Sequence, residues 1–305
     1  MNQDGSFEQL SGGSSQLHET TEVPSTLSGE LFQGSADLEG YLLGLKVAEG
    51  SVDPNGLLSY RDLPHTLTVA GIEDFSNNLL KRTVAISPRE EFGGYIHLQV
   101  TPPKLLYPIS PTMGYRIHNK DEKTYRQGVE PFYVITPNIQ PISLVHTHIW
   151  SGTFSAQDIF HMVRSDELIN SICLPLSTPQ FNFLLLRTRE TQPKSIEEFN
   201  TLYSKYRTAF FKEGALYQDK SDNALQEILA SENLIDFNDI LIDDLNDDVQ
   251  SYFTYLLTTQ AVARELMLGI YISEKDGKYQ LLTEGKAREV FENLFSKLMS
   301  TVTEK

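Results

Sequence analysis

The stretch LVHTHIWSGTFSAQD, at residues 144–158, carries two histidines separated by a single residue, in a chain with only 7 histidines among 305 residues. The apolar run in front of them predicts a buried strand that ends at His148. Alternate residues of a strand point to the same face and their anchors lie about 6.6 Å apart, so His146 and His148 would share a face. Two imidazoles in that arrangement can bind one zinc ion, whereas adjacent histidines would point to opposite faces.

The second half of the stretch, SAQD, has the chemistry of a helix start. Ser155 is a good N-cap, and Asp158, three positions later, completes a capping-box-like pair. A helix beginning there would return Asp158 to the end of the histidine-bearing strand as a third ligand, leaving one zinc position open for water. His161, one turn later, is either an alternative ligand or a surface residue. The competing interpretation of the whole stretch is an ordinary strand-to-helix connection.

A hydrolytic zinc site also needs a group that takes a proton from the attacking water. The upstream segment EEFGGYIHL has Glu90 and Glu91 at the start of a predicted strand over 93–100. Two glycines follow them, which would let substrate or other backbone approach closely. Both glutamates are therefore candidate bases, although charged residues at a strand start are commonly solvated.

The surrounding pattern predicts a mixed α/β fold, in the sense of an α+β mixture around a mixed sheet. A helical stripe covers 70–82, and 171–188 is typical of two strands joined by the turn STPQ. We predict one mixed unit over 70–192, preceded by a short extension at 36–69. Residues 1–35 are rich in Ser, Gly, Thr, Glu and Gln and are predicted to be a flexible tail.

The last third of the chain, 193–305, is predicted to be mainly helical. It contains one β-hairpin, which we expect to turn at Asp276–Gly277. Its acidic segment DFNDILIDDLNDD, at 236–248, has the charge of a calcium loop but lacks the glycine at the sixth position and the distal glutamate. A solvated surface is the better interpretation of that segment.

The composition limits the possible partners and compartments. With 25 Lys+Arg against 41 Asp+Glu, the formal net charge is -16, so neither nucleic acid nor an anionic membrane is an expected partner. The single cysteine, Cys173, lies in an apolar run and is predicted to be a buried inert thiol; a cysteine hydrolase built on it is a rival chemistry. The N-terminal residues lack the pattern of a signal peptide, so we expect a cytoplasmic protein or one exported by a dedicated secretion system.

Three motifs together resemble the JAMM/MPN (JAB) metalloprotease family: Glu-x-x-Gly opening a strand, His-x-His ending a later strand, and Ser-x-x-Asp opening a helix. The resemblance covers the central α/β unit and implies a JAB/MPN-like mixed sheet flanked by helices. It implies that His146, His148 and Asp158 bind Zn2+, that Glu91 is the general base and that Ser155 stabilises the oxyanion. The sequence is most similar to bacterial JAB-like domains near the ends of polymorphic toxins.

The resemblance implies a zinc-dependent hydrolase of peptide or isopeptide bonds, acting on a protein or peptide such as a ubiquitin-like conjugate, in the setting of a bacterial effector or toxin. Two departures support an alternative. Ile149 stands where the family usually has proline, and the segment between His148 and Asp158 is one residue shorter than usual. The alternative is a catalytically inactive MPN-like scaffold for protein–protein interaction, with the helical C-terminal region binding the partner.

Overall fold

The computed structural model describes residues 34–48, 51–86, 91–108, 112–113, 115–119, 124–128, 135–148, 153–165, 168–175, 181–230, 249–273 and 277–303. All of them belong to one compact unit, Phe32–Lys305. Several sequence features lie outside the described residues: the tail up to residue 33, Glu90, Ile149, the STPQ turn and the acidic segment 236–248. No helix within the described ranges combines the length and the apolar character needed to cross a membrane.

A large mixed β-sheet carries the histidine-bearing strand in its interior. The strands are β1 (Ser35–Asp37), β2 (Val47–Ala48), β3 (Ser51–Val52), β4 (Thr66–Thr68), β5 (Phe92–Gln99), β6 (Lys104–Leu106), β7 (Thr112–Met113), β8 (Tyr115–Asn119), β9 (Thr124–Gly128), β10 (Ile139–His148), β11 (Asn170–Pro175), β12 (Asn182–Leu186), β13 (Gly269–Ser273) and β14 (Lys278–Leu281). The large sheet has the order β1-β4-β14-β13-β12-β11-β10-β5-β6, and β7 pairs with β5. Within it the β1–β4 and β10–β11 pairs are parallel and the others are antiparallel. Strands β2 and β3 form one small sheet, and β8 and β9 form another.

Helices cover both faces of the large sheet. In the described residues they are α1 (Leu38–Leu43), α2 (Ala70–Ile86), α3 (Ala156–Arg164), α4 (Ile196–Ala230), α5 (Val249–Glu265) and α6 (Glu284–Thr303), with short 3₁₀ turns at Pro54–Gly56 and Tyr60–Asp62. Helices α1 and α2 contribute to the apolar core of one face, and α3 to α6 contribute to the core of the other. The predicted mixed α+β class, with a sheet flanked by helices, is confirmed.

Strand β12 shows why the central strands appear in the sequence as continuous apolar runs. Phe183 and Leu185 pack into the core shared with α3 to α6, whereas Leu184 and Leu186 pack into the core shared with α1 and α2. Every residue of this strand is buried. A strand covered on both faces loses the alternation of polar and apolar residues, so its sequence indicates a buried strand without indicating its neighbours.

The predicted elements around the histidines agree with the structure. The strand predicted to end at His148 is β10, the helix predicted after Ser155 is α3, and the predicted hairpin is β13–β14. The predicted boundaries after 69 and 192 do not coincide with breaks in the sheet. Strands β13 and β14 lie between β12 and β4, so the extension, the central unit and the C-terminal third all contribute to one sheet.

Helix α3, which carries Asp158, is fixed at its C-terminal end by a buried arginine. Arg187, only 6% exposed, donates hydrogen bonds to the carbonyl groups of Met162 and Ser165. A cation at this end of a helix interacts favourably with the helix dipole and satisfies carbonyl groups that have no partner within the helix. The helix start is fixed separately, by the Ser155 cap, so α3 holds Asp158 in a defined place.

Candidate metal centre

His146 and His148 lie at the end of β10 and point to the same face of the sheet, because side chains two apart in a strand share a face. Strand β10 is paired on both edges, with β5 and with β11. Both histidines are buried, with 3% and 5% exposure. Their ring centroids are 4.7 Å apart and their Nε2 atoms are 3.0 Å apart. The two imidazoles therefore converge as the spacing predicts.

The carboxylate of Asp158 joins the two imidazoles. His146 Nε2 lies 3.4 Å from Oδ1 of Asp158, and His148 Nε2 lies 3.1 Å from Oδ2. Oδ2 also accepts hydrogen bonds from the backbone N–H of Ser155 at 2.8 Å and from its hydroxyl at 2.7 Å. The N–H of Asp158 donates in return to Ser155 Oγ at 3.3 Å, which completes the predicted capping box. The cap thus orients the carboxylate toward the histidines.

The spacing of these donor atoms suits one tetrahedral ion. Zinc–nitrogen and zinc–oxygen bonds of about 2.0–2.2 Å place neighbouring donors about 3.3–3.6 Å apart. The two Nε2 atoms are 3.0 Å apart, and each lies 3.1–3.4 Å from one of the two Asp158 oxygens, Oδ1 for His146 and Oδ2 for His148, within a few tenths of an ångström of that spacing. Imidazole and carboxylate are also the donor types that zinc prefers. By spacing and by chemistry, the residues present fit a zinc ion.

A partner behind His148 fixes the orientation of its ring. His148 Nδ1 lies 2.9 Å from the carbonyl oxygen of Thr153, which accepts its hydrogen. Metal-binding histidines commonly donate their second ring N–H in this way, which directs the other nitrogen toward the ion. The Thr153 hydroxyl lies 3.2 Å from the hydroxyl of Thr259 on α5, so the C-terminal region supports the segment behind the site. The sequence did not indicate this role for Thr259.

Asp158 and His148 have shifted pKa values because they interact closely. Burial acts to raise the pKa of Asp158, but the charges of His146 and His148 outweigh it and hold that pKa well below its usual range. Burial acts to lower the pKa of His148, but interactions with Cys173 and Asp158 outweigh it and raise that pKa well above its usual value. A divalent cation would take the place of the proton shared by this cluster, so metal binding and protonation compete.

Glu91 immediately precedes β5, beside the end of the histidine-bearing strand. His146 pairs with Gly93 in the antiparallel β5–β10 ladder. The paired residues of the ladder end there; extended by two residues, the same register would set Glu91 opposite His148 on the same face of the sheet.

Two observations connect Glu91 with the cluster. The backbone N–H of Phe92 donates to the hydroxyl of Thr147 at 2.9 Å, which ties the residue after Glu91 to the strand of the histidines. The pKa of Cys173 is raised mainly by burial and further by the charges of Asp158 and Glu91.

Cys173 is a candidate ligand that the sequence interpretation set aside as an inert thiol. It is fully buried and lies directly opposite His146 in the parallel β10–β11 ladder. The metal-donor atoms of His146, His148 and Cys173 all lie within 4.8 Å of one another. Nothing in the local sequence indicates that β11 pairs in parallel with β10, so the proximity of this thiol to the histidines could not be predicted.

His161, the alternative ligand, is exposed and its Nε2 lies 3.5 Å from the hydroxyl of Tyr95. The donor cluster is formed without it. It therefore serves as a natural control: a histidine on the same helix as Asp158 that lies outside the cluster.

We expect replacement of Ser155 by alanine to weaken both the helix cap and the metal site. Loss of an N-cap costs about 0.5–2 kcal/mol of the free energy of unfolding. Loss of a side chain that orients a ligand lowers metal affinity roughly 10–100-fold. Chemical denaturation and competition with a zinc-binding dye measure the two effects.

Ser195→Ala is the matched control for this variant. Ser195 forms an equivalent cap on α4, in which Glu198 accepts from its N–H at 2.9 Å and donates from its own N–H to the serine hydroxyl at 3.2 Å. This variant should lose similar stability and keep its zinc affinity. Equal affinity losses in both variants would show that Ser155 acts only as a helix cap.

Asp158 is the most exposed of the three residues: its side chain is 17% exposed, whereas the two histidines are almost completely buried. Comparison with known proteins adds no relative: no protein-family model matches the chain, and neither a curated protein nor a solved structure is significantly similar to it.

Proposed function

We propose that this protein is a zinc-dependent hydrolase of JAMM type that cleaves peptide or isopeptide bonds. The observation that supports the proposal best is the convergence of His146, His148 and Asp158, whose donor atoms are 3.0–3.4 Å apart. These residues come from a strand end and from the following helix start, in the order of the JAMM/MPN pattern. Two histidines and one carboxylate are a ligand set of catalytic zinc sites.

Zn2+ would be held by Nε2 of His146, Nε2 of His148 and a carboxylate oxygen of Asp158. When bound, it would polarise a substrate carbonyl and make a water molecule acidic enough to attack near neutral pH. The capping box supports this assignment, because Ser155 holds Oδ2 of Asp158 with two hydrogen bonds and thereby fixes the plane of the carboxylate.

Glu91 is the proposed general base. Its carboxylate would accept a proton from the attacking water and return it to the leaving amine, as peptide hydrolysis requires. The register of β5 against β10 supports this role, because its extension beyond the last pair, His146 with Gly93, would direct Glu91 to the face that carries His146 and His148. The hydrogen bond from Phe92 N–H to the hydroxyl of Thr147 keeps the backbone beside Glu91 in that position.

Ser155 is the proposed partner of the oxyanion. Its hydroxyl donates its only hydrogen to Asp158 Oδ2 at 2.7 Å, so stabilising an oxyanion requires this hydroxyl to turn away from the carboxylate. Its backbone N–H would still hold Asp158 at 2.8 Å during that rotation. Ser155 therefore has a positioning role in either orientation of its hydroxyl.

The proposed substrate is a protein or peptide. A ubiquitin-like conjugate is one such substrate, and the motif resemblance to bacterial JAB-like domains would imply an effector or toxin setting, in the cytoplasm or after export by a dedicated system. A catalytically inactive MPN-like scaffold is the second candidate. It is favoured by the buried thiol of Cys173, because four protein donors would fill a tetrahedral ion and leave no position for water.

Metal analysis combined with a cleavage assay tests the proposal. We expect protein purified without chelator to contain one zinc per chain, and to cleave members of a panel of peptides and ubiquitin-like isopeptide conjugates. Phenanthroline should abolish cleavage, and added Zn2+ should restore it, because the ligands remain in place after the ion is removed. Absence of zinc would contradict the metal site, whereas stoichiometric zinc without cleavage would favour the scaffold.

A further inference from the structure

The buried side of the donor cluster contains a thiol that the hydrolase proposal does not use. Cys173 is on β11 and faces His146 across the parallel ladder. It is 0% exposed, and its thiol interacts with the imidazole of His148. Among the described residues, Nδ1 of His146 is also buried without a hydrogen-bond partner. A buried polar atom without a partner is costly, but an ion on Nε2 of His146 would leave this nitrogen unchanged, so the case for Cys173 rests on the position of its thiol.

The geometry allows the thiol to reach an ion bound by the histidines. The donor atoms of His146, His148 and Cys173 lie within 4.8 Å of one another. Zinc–sulfur and zinc–nitrogen bonds of about 2.3 and 2.0 Å would set the sulfur about 3.5 Å from each imidazole nitrogen. Each sulfur–nitrogen distance therefore has to shorten by about 1.3 Å at most, which a rotation of the cysteine side chain or a small shift of the imidazoles can supply.

We propose that Cys173 is a fourth protein ligand of the metal ion, which closes a coordination sphere of two histidines, one aspartate and one cysteine. The inference rests on the proposed zinc site. It adds a resting state in which all four coordination positions are occupied by protein and none is free for water. On binding, the thiol proton is released to solvent and the sulfur replaces one water of the hydrated ion. The bound thiolate then occupies the place that water needs for hydrolysis, so Cys173 must leave the ion before turnover.

Cobalt substitution tests this ligand directly, because the chain has only one cysteine. The apoprotein is titrated with Co2+ in buffer free of thiols, and its absorption spectrum is recorded. We expect visible d–d bands of tetrahedral Co2+ together with a near-ultraviolet thiolate-to-Co2+ charge-transfer band. Any such band must come from Cys173. X-ray absorption of the wild-type zinc form should in addition show one sulfur neighbour at about 2.3 Å.

Variants separate the fourth ligand from the rest of the site. Cys173→Ala and Cys173→Ser should lose the charge-transfer band completely and keep the d–d bands. Their affinity for Zn2+ should fall by about 100-fold, which is the upper end of the loss seen when a residue that only contacts a metal ligand is mutated. Ser171→Ala, two residues earlier on the same strand and also buried, should keep the band. If the wild-type protein cleaves substrate, the Cys173 variants should cleave faster once saturated with zinc.

The possible failures point to different parts of the proposal. Tetrahedral Co2+ bands without a charge-transfer band, or a zinc site without a sulfur neighbour, would overturn the role of Cys173 and leave the His146, His148 and Asp158 site intact. Failure of the wild-type protein to bind Co2+ or Zn2+ would overturn the metal site, and the role of Cys173 with it. The wild-type measurements give these answers even if the variants do not fold.

Discussion

Zinc binding should fall by more than about 100-fold when His148 is replaced by alanine, and the protein should be isolated without stoichiometric metal. His148 is the best-anchored ligand of the cluster: its Nδ1 is held by the carbonyl of Thr153 at 2.9 Å and its Nε2 lies 3.1 Å from Asp158. Loss of an outer partner alone costs roughly 10–100-fold in affinity, and loss of the ligand should cost more. Inductively coupled plasma mass spectrometry and competitive titration measure the change.

Two further variants make this result interpretable. His161→Ala removes an exposed histidine from α3 and should keep one zinc per chain. Asp158→Asn keeps the size of the side chain but removes the anionic donor, so it should also lose zinc while causing less disturbance of packing than His148→Ala. Retention of stoichiometric zinc by both His148→Ala and Asp158→Asn would refute the assigned ligand set.

Hydrolysis should fall by about 10²–10⁴-fold in Glu91→Gln, while zinc content stays at the wild-type level. General base catalysis contributes rate enhancement of this size, and an amide cannot accept the proton of the attacking water. Glutamine preserves the length of the side chain and leaves the pairing of β5 with β10 unchanged. The loss should appear in kcat and leave KM little changed, because the carboxylate acts on the water and not on substrate binding.

Glu90→Gln is the matched control, since the upstream motif offers two adjacent glutamates. We expect it to keep most of the activity, because the Glu-x-x-Gly motif of the resemblance assigns the base to Glu91. The reverse outcome, with Glu90→Gln inactive and Glu91→Gln active, would identify Glu90 as the general base. Full activity of both variants would show that neither glutamate is the general base.

The donors on one continuous stretch could be predicted from local chemistry. The one-residue gap between His146 and His148 places both rings on one face of a strand, and Ser155 with Asp158 marks a helix start. The shared face follows from the two-residue period of a strand, and the helix start follows from capping. Both are determined within a few residues of the chain. The capping box and the strand end at His148 are both present in the structure.

Relations between distant strands could not be predicted in this way. The apolar run around Cys173 indicates a buried strand, but the same run fits any neighbour and either direction of pairing. The closeness of Cys173 to His146 depends on a parallel ladder, and the support of Thr153 by Thr259 depends on how α5 packs. These contacts result from the tertiary fold as a whole, so local pattern gives no signal for them.

The position of β13 and β14 in the middle of the large sheet limits how this protein can be truncated. These strands join β12 on one side to β4 on the other. A fragment ending near residue 192 would leave the edges of β12 and β4 unpaired, and such edges invite aggregation. We therefore expect the histidine-bearing region to be soluble and folded only when the C-terminal strands are expressed with it.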